Sequence, residues 1–204
     1  MVAAGLVAGA VASGLLVYAA LFAEGAWRFA QAEAHYRDID GAGARAVVEL
    51  DALTRALRAS PARRDLTHAA EVQIRAAEQL GVSSFRAITR LSAAQRDLRT
   101  GLAASPADAS AWTRLAETEA RLGNRRQAVA ALTLACRMAP PTPALAGIQM
   151  DLAVVLWPNL TTGAKAAVEH RLAWMENRPE MKAVAQGTAA MTIRARLHGE
   201  RSDP

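Results

Sequence analysis

The sequence is poor in residue types that small proteins use for stability or chemistry. It has a single cysteine, Cys136, in 204 residues, so an internal disulfide and a thiolate metal site are both excluded. Aromatic residues make up only 4% of the chain. Two of the 24 basic residues are lysines, Lys165 and Lys182, and the rest are arginines. This bias, with abundant alanine, is typical of GC-rich bacterial coding sequences, and we expect a bacterial protein.

The motifs of common catalytic sites are missing as well. The chain contains no HExxH, GxxxxGK[ST], GxSxG or GxGxxG motif. Asp38 and Asp40 resemble the start of a calcium loop, but the later ligands are absent, so they are better interpreted as caps of a helix that starts near Ala44. Four histidines lack the helical spacing of metal ligands to one another: His35, His68, His170 and His198. We expect no enzyme activity, no cofactor and no metal.

The charge of the chain is moderately basic, with a formal net charge of +5. Such a balance is compatible with nucleic acid or anionic lipid as a partner. The arginines are, however, interleaved with acidic residues along the chain, and the densest groups are the pairs Arg63-Arg64 and Arg125-Arg126. No block is long enough to follow a phosphate backbone. We therefore interpret the arginines as solvated helix faces and expect no nucleic-acid partner.

An uncharged segment occupies the N-terminus. Residues 2–23 contain no charge and no proline. As a helix they span about 33 Å, enough to cross a hydrocarbon core of about 30 Å. A cleaved signal peptide is the alternative, but it favours a basic start and a shorter apolar core, whereas the first basic residue here is Arg28. We predict an uncleaved single-span anchor over residues 1–25 in the inner membrane of a bacterium.

The side of the membrane on which the rest of the chain lies stays open. Arg28 and Arg37 come after the span and favour a cytoplasmic C-terminal part by the positive-inside rule. Many bacterial N-terminal anchors nevertheless export the domain that they carry. Gly5, Gly9 and Ser13 lie four positions apart on one face of the predicted span. Such a stripe lets a partner helix or a second copy pack closely, although an Ala/Gly-rich span also produces this spacing by chance.

The remainder of the chain predicts an all-α protein. Alanine, leucine and arginine dominate, and apolar residues recur at helical spacing between prolines and glycines. About eight helices come after the anchor on this pattern. The sequence also repeats itself, since ALRASP at residues 56–61 recurs as GLAASP at 101–106 and more loosely as ACRMAP at 135–140. The last two prolines are 34 residues apart, which is a helix-pair repeat signal.

Residues 109–142 combine small, large apolar and closing residues in a pattern of two helices joined by a turn: Trp112, Leu115, Ala116, Gly123, Ala128, Leu132, Ala135 and Pro140. On these positions the chain resembles the tetratricopeptide repeat family. One clear departure is Glu119, where the family usually has a large residue such as tyrosine. In this resemblance Ala116 and Ala128 let paired helices approach, and Gly123 permits the turn between them. Cys136 lies on an apolar helix face, so we expect it to be a small core residue.

The neighbouring units match the family pattern less well. For the unit ending at Pro106 we predict a first helix over residues 65–80 and a second over 91–104, with a long linker between them. We assign residues 26–142 to repeat-like hairpins. Residues 143–197 form divergent repeats or a cap, with helices near 144–157, 163–176 and 180–197, and residues 198–204 form a flexible tail.

The resemblance implies that the first helices of the units line a groove that holds a partner peptide or helix. An ordinary solvated helix face is the alternative. The groove candidates share a polar face at helical spacing in two helices: His68, Glu71, Arg75, Gln79, Thr113, Glu117 and Arg121.

The expected function is that of a membrane-anchored interaction module that recruits or assembles a bacterial envelope complex. Its partners would be proteins, including other membrane proteins, together with the bilayer and possible further copies of the chain through the membrane helix. The alternative is a small accessory subunit that its transmembrane helix holds inside a larger membrane complex.

Overall fold

The computed structural model describes residues 43–59, 65–80, 84–138 and 142–202. Within these ranges the chain forms nine α-helices and two 3₁₀ turns and no strand, which confirms the all-α class. The 3₁₀ turns are Trp157–Asn159 and Pro179–Met181. The helices are α1 (Gly43–Ala59), α2 (Asp65–Gln79), α3 (Phe85–Ala104), α4 (Ala109–Arg121), α5 (Arg125–Arg137), α6 (Pro143–Leu156), α7 (Thr162–Glu176), α8 (Lys182–Ala185) and α9 (Thr188–Ser202).

Side-chain caps fix where several helices begin. The side chains of Ser84, Asp108, Thr142 and Thr161 each accept a hydrogen bond from the backbone N–H three residues later. Such caps satisfy N–H groups that have no partner within the helix. The caps of α4 and α6 are 34 positions apart, so the predicted period recurs in the helix starts.

Three predicted boundaries differ from the structure. Helix α3 begins at Phe85, six residues before the predicted start at Leu91, so the connection from α2 is short. The predicted helix over 180–197 is divided into α8 and α9 at Gly187, whose flexible backbone is unfavourable in a helix interior. Helix α9 runs to Ser202, which places residues 198–202 in a helix and not in a tail.

Consecutive helices pack against each other along the first part of the chain. Helix α2 buries two faces: Ala69, Val72 and Ala76 contact α1, and Ala70 and Ile74 belong to the main core that α3 shares. Helices α4 and α5 form the next closely packed pair. The first part of the chain is therefore a stack of helical hairpins.

Ion pairs show how α2 and α4 are aligned. Glu71 of α2 pairs with Arg114 of α4 at 3.0 Å, and Glu78 pairs with Arg121 at 2.6 Å. Both pairs are separated by 43 positions in sequence. Since the second pair lies seven residues further along both helices, about two helical turns, α2 and α4 run in the same direction.

Helices α1 and α3 repeat this arrangement. Asp51 accepts hydrogen bonds from both terminal nitrogens of Arg90 at 2.6 and 2.9 Å, and Asp97 accepts from Arg58 at 2.6 Å. These pairs are both separated by 39 positions, and they again lie seven residues apart on each helix. Helices α1 and α3 therefore also run in the same direction.

The core confirms the small residues that the repeat pattern predicted at close contacts. Ala116 in α4 and Ala128 in α5 are fully buried, as is Ala94, the equivalent of Ala128 in α3. Leu98 and Leu132, also 34 positions apart, are buried in the same cluster. Gly123 between α4 and α5 has a φ of 80°, a conformation that glycine adopts without strain. Ala94 and Leu98 of α3 are therefore buried in the same way as Ala128 and Leu132 of α5.

The C-terminal helices depart from simple stacking. Helix α6 packs on α4, α5 and α9, whereas α7 packs mainly on α5. Trp157, in the 3₁₀ turn after α6, is buried, and its indole N–H donates to Glu200 of α9 at 3.0 Å. The last helix thus returns to close the end of the stack beside α6.

The predicted anchor lies outside the described residues, as do Gly5, Gly9 and Ser13. None of the helices that the structure describes combines the length and the apolar character needed to span a bilayer.

Candidate protein-binding surface

Four of the predicted groove residues lie along one stripe of α2. His68 and Glu71 are half-buried, and Arg75 and Gln79 are exposed. Their spacing of three and four residues places them on one face of the helix. This face turns toward α4, because Glu71 reaches Arg114 there.

A continuous chain of ion pairs joins this stripe to α4. Arg121 contacts Glu78 at 2.6 Å and Glu117 at 2.7 Å, both through Nη2. The other carboxylate oxygen of Glu117 accepts from Arg114 at 3.1 Å, and Arg114 then reaches Glu71. We call these five residues the α2–α4 ladder. Sequence reasoning predicted Glu71, Glu117 and Arg121, and missed Glu78 and Arg114.

The ladder neutralises most of the charge on this face. Each carboxylate already has a guanidinium partner, and the five side chains are between 14% and 43% exposed. Ion pairs that solvent reaches in this way each contribute up to about 1 kcal/mol. The ladder therefore aligns the two helices, with a small contribution to stability from each pair.

Thr113 does not belong to the exposed surface. Its side chain is fully buried, with its hydroxyl donating to the carbonyl of Ala109 at 2.8 Å. The same hydroxyl accepts a hydrogen bond from Nε2 of Gln149 in α6 at 2.9 Å. The prediction that Thr113 lines the groove is wrong, because α6 covers this position. Its role is to join α4 to α6.

Glu119, the departure from the family pattern, is a buried carboxylate with three partners. Its side chain is 1% exposed. Oε2 accepts from Gln95 at 2.8 Å and from Asn124 at 2.7 Å, and Oε1 accepts from Arg99 at 2.7 Å. Hydrogen bonds to the charged form offset the cost of burying it. Glu119 therefore joins α3, α4 and the turn before α5 through polar contacts.

Arg171 of α7 closes the C-terminal end of α5. Its Nη2 donates to the carbonyls of Cys136 at 2.7 Å and Met138 at 2.9 Å, and more weakly to Ala135 at 3.4 Å. A cation is favoured at this end of a helix, where carbonyls lack partners. The burial of Arg171 lowers the pKa of its guanidinium.

The surroundings of Cys136, the single cysteine, determine the protonation state of its thiol. Cys136 is buried as predicted, and burial raises the pKa of its thiol to about 11. At neutral pH it is therefore protonated, whereas a nucleophile or metal ligand has to be a thiolate. Among the described residues, no group of three or more His, Cys, Asp and Glu side chains is placed to hold a metal ion.

A second surface lies on the outer side of α5. A groove of about 600 Å³ runs between α5 and the segment that leads into α7. We call it the α5–α7 groove. Its residues are Arg125, Arg126, Val129, Ala130, Thr133 and Leu134 from α5, and Asn159 and Thr161 from the opposite wall.

Two arginines of this groove occupy positions that an α-helix disfavours. Arg125 and Arg126 are the first two residues of α5, and its first turn contains no acidic residue. A cation at the positive end of a helix costs about 0.3–1 kcal/mol. The N-cap residue, Asn124, makes no capping hydrogen bond, since its side chain donates to Glu119 instead. The first turn of α5 therefore carries two cations and no acidic residue.

Comparison of the chain with protein-family models, curated proteins and solved structures found no match.

Proposed function

We propose that this protein is a membrane-anchored interaction module of the tetratricopeptide type, which holds protein partners at the inner membrane of a bacterium and assembles an envelope complex. The anchor is the segment over residues 1–25, and the helical stack is the binding part. The sequence recurrence and the arrangement of the hairpins both support this proposal.

The observation that carries the proposal is the matched register of equivalent helices. The pairs Glu71–Arg114 and Glu78–Arg121 align the first helices α2 and α4 in the same direction. Alternate helices that run parallel arise when one hairpin follows another with the same orientation, as in a repeat array. First helices that lie side by side form one extended surface, and such surfaces bind peptides and helices.

The chemistry of this surface suits recognition through polar contacts. Arg75 and Gln79 are exposed beside the α2–α4 ladder. A partner with charged side chains gains ion pairs with the ladder only by displacing existing ones, so the net gain in affinity per pair is small. Specificity then rests on matching the alternating signs of the ladder, since like charges placed opposite each other are strongly unfavourable.

The proposal is tested on the tagged full-length protein, extracted from its own host in detergent. Partners that co-purify are identified by mass spectrometry and compared with those of a chain that starts at Glu24. A double variant, Arg75→Glu with Gln79→Glu, changes the exposed face and leaves the five ladder residues in place. Arg96→Glu with Thr100→Glu, at exposed positions of α3, changes the charge by the same three units and is the matched control. Circular dichroism verifies that each variant is folded.

We expect the partner set to survive deletion of residues 1–23, to be lost in the double variant and to remain in the control. Loss of all partners on deletion of the anchor, with no effect of the double variant, would overturn the proposal. That result favours the accessory subunit, and Gly5→Ile with Gly9→Ile should then also detach the protein from its complex.

A further inference from the structure

The α5–α7 groove has an apolar floor. Val129, Ala130 and Leu134 lie along α5, and Ala130 is exposed at the surface while Leu134 is half-buried. Asn159 and Thr161 form the facing wall. The Thr161 hydroxyl is already engaged, since it accepts from the N–H of Ala164 at 3.2 Å. A ligand that fills this groove therefore gains most by covering the apolar floor.

Arginines lie at one end of the groove and just beyond the other. Arg125 and Arg126 line the first end. Arg137 lies one turn beyond Thr133 and Leu134 on the same face of α5, with its Nη2 beside Gly163 in the first turn of α7. Across the described part of the chain these three arginines make no ion pair and no side-chain hydrogen bond. No acidic residue is among the described residues that line the groove.

The arginines of the α2–α4 ladder and those of the α5–α7 groove differ in their ion-pair partners. Arg114 and Arg121 each contact two carboxylates of their own chain. The arginines of the α5–α7 groove are exposed, and two of them stand where the helix itself disfavours a cation. A carboxylate supplied by a partner would gain an ion pair there without breaking one.

We propose that the α5–α7 groove is a docking site for a short acidic segment of a partner protein, in which bulky apolar side chains lie between carboxylates. The carboxylates pair with Arg125 or Arg126 at one end and with Arg137 at the other, and the apolar side chains cover Val129, Ala130 and Leu134. Arg126 and Arg137 are about 16 Å apart along the helix, which about five residues of extended chain span. The concave shape suits a chain segment better than a flat membrane surface.

This docking site goes beyond the proposed function and does not depend on it. It lies on a second helix, α5, whereas the proposed function concerns the first helices α2 and α4. The α5–α7 groove retains its shape and charge whether or not the α2–α4 surface binds anything. The two ideas are therefore tested with separate variants.

The test uses the purified full-length protein in an uncharged detergent and a fluorescently labelled peptide. The peptide has about seven residues, with glutamates near both ends and leucines in the middle. Binding is measured by fluorescence anisotropy, and detergent without protein measures the binding to micelles alone. A matched peptide replaces every glutamate by glutamine. The variants are Arg126→Glu with Arg137→Glu, and the control is Arg86→Glu with Arg96→Glu on the exposed side of α3.

We expect the acidic peptide to bind, with an affinity that falls as salt is added. The Kd of the acidic peptide should be at least about tenfold higher for the Arg126→Glu, Arg137→Glu variant than for the unaltered protein. The Kd of the glutamine peptide for the unaltered protein should be higher by a similar factor. For the α3 control, the Kd of the acidic peptide should stay within about twofold. An independent variant, Ala130→Trp, fills the groove without changing the charge and should also weaken binding. Thermal unfolding verifies that each variant is folded.

Three results would overturn the inference. The first is no saturable binding of the acidic peptide. The second is an equal loss in the α3 control, which would show attraction to net positive charge in place of a defined groove. The third is binding to vesicles that contain phosphatidylglycerol, with the same dependence on Arg126 and Arg137, when the peptide itself does not bind. In that case the surface recognises anionic lipid.

Discussion

Replacing Glu119 with glutamine tests whether a buried charge holds the two central hairpins together. The substitution keeps the size of the side chain but turns one acceptor oxygen into a donor. Oε2 accepts from Gln95 and Asn124, and Oε1 accepts from Arg99. In either orientation of the new amide, its NH₂ group therefore faces a donor. Either one polar group loses its partner in a position that is 1% exposed, or the amides of Gln95 and Asn124 both turn over and their hydrogen bonds to this position are no longer made to a charge.

The magnitude of the effect depends on which contact is lost. The Arg99 side chain is 55% exposed and can turn toward water at little cost, so we discount its share. Gln95 and Asn124 are half-buried and depend more strongly on the carboxylate. Loss of a hydrogen bond to a buried charged group costs about 1.5–3 kcal/mol. We expect Glu119→Gln to lower the free energy of unfolding by about 2 kcal/mol, and Arg99→Gln by about 1 kcal/mol or less.

Urea unfolding of the full-length protein in detergent, monitored by circular dichroism, measures both changes. Unaltered stability of Glu119→Gln would refute this reasoning, and so would an equal loss in Arg99→Gln, because the exposed partner would then dominate. Glu119→Tyr adds a second check, as it introduces the type of residue usual in the family. We expect it to destabilise the protein, since a phenol ring cannot accept from all three donors. A stabilised Tyr variant would indicate an ordinary aromatic pocket.

Four further changes have expected outcomes in the same unfolding assay. Gly123→Ala should cost about 1 kcal/mol because the residue has a positive φ, whereas Gly147→Ala, whose new methyl group meets no atom within 4 Å, should stabilise α6 by up to about 1 kcal/mol. Arg171→Met should cost about 2 kcal/mol by leaving buried carbonyls at the end of α5 without donors. The Cys136 thiol keeps its proton in the folded state while the unfolded thiol ionises near pH 9. Stability should therefore fall from about pH 9 to about pH 11, by about 1.4 kcal/mol per pH unit, and Cys136→Ala should remove that slope.

The sequence predicted the parts of the fold that depend on local periodicity. Residues 101–104 end α3 and residues 135–137 end α5, and the 34-residue period recurs in the buried pair Leu98 and Leu132. Such signals survive because a helix presents the same face every three or four residues. The turn at Gly123 was predictable for a similar reason, since few other residues adopt a positive φ.

The predicted start of α3 is wrong because apolar residues in its first turn do not face the core. Phe85 and Ile88 in the first turn of α3 are 83% and 46% exposed. They disturb the amphipathic pattern, so that its clear part begins only at Leu91. The core stripe really starts at Ala87, a small residue that carries little hydrophobic signal, and the helix start depends on the Ser84 cap.

The functional surfaces were harder to predict because they depend on contacts between distant helices. Glu78 and Arg114 belong to the ladder because each forms an ion pair with a residue 43 positions away in sequence. Helical spacing within one segment does not predict contacts over such a separation. Thr113 has the spacing of a surface residue, yet α6 covers it. Arg125 and Arg126 were recognised as a basic pair and interpreted as solvated, since the groove beside them forms only when the segment before α7 packs on α5.

The two surfaces differ in what a charged partner gains by binding. On the α2–α4 ladder every new ion pair replaces an existing one, because Glu117 already contacts both Arg114 and Arg121. The net electrostatic gain there is small, and complementarity of sign serves mainly to reject wrong partners. Arg126 and Arg137, beside the α5–α7 groove, have no ion-pair partner among the described residues. A partner's carboxylate would therefore be attracted to them without displacing another acid. That attraction extends over about a Debye length. An acidic segment would therefore be drawn first to α5, and the first-helix face would discriminate among partners that are already close.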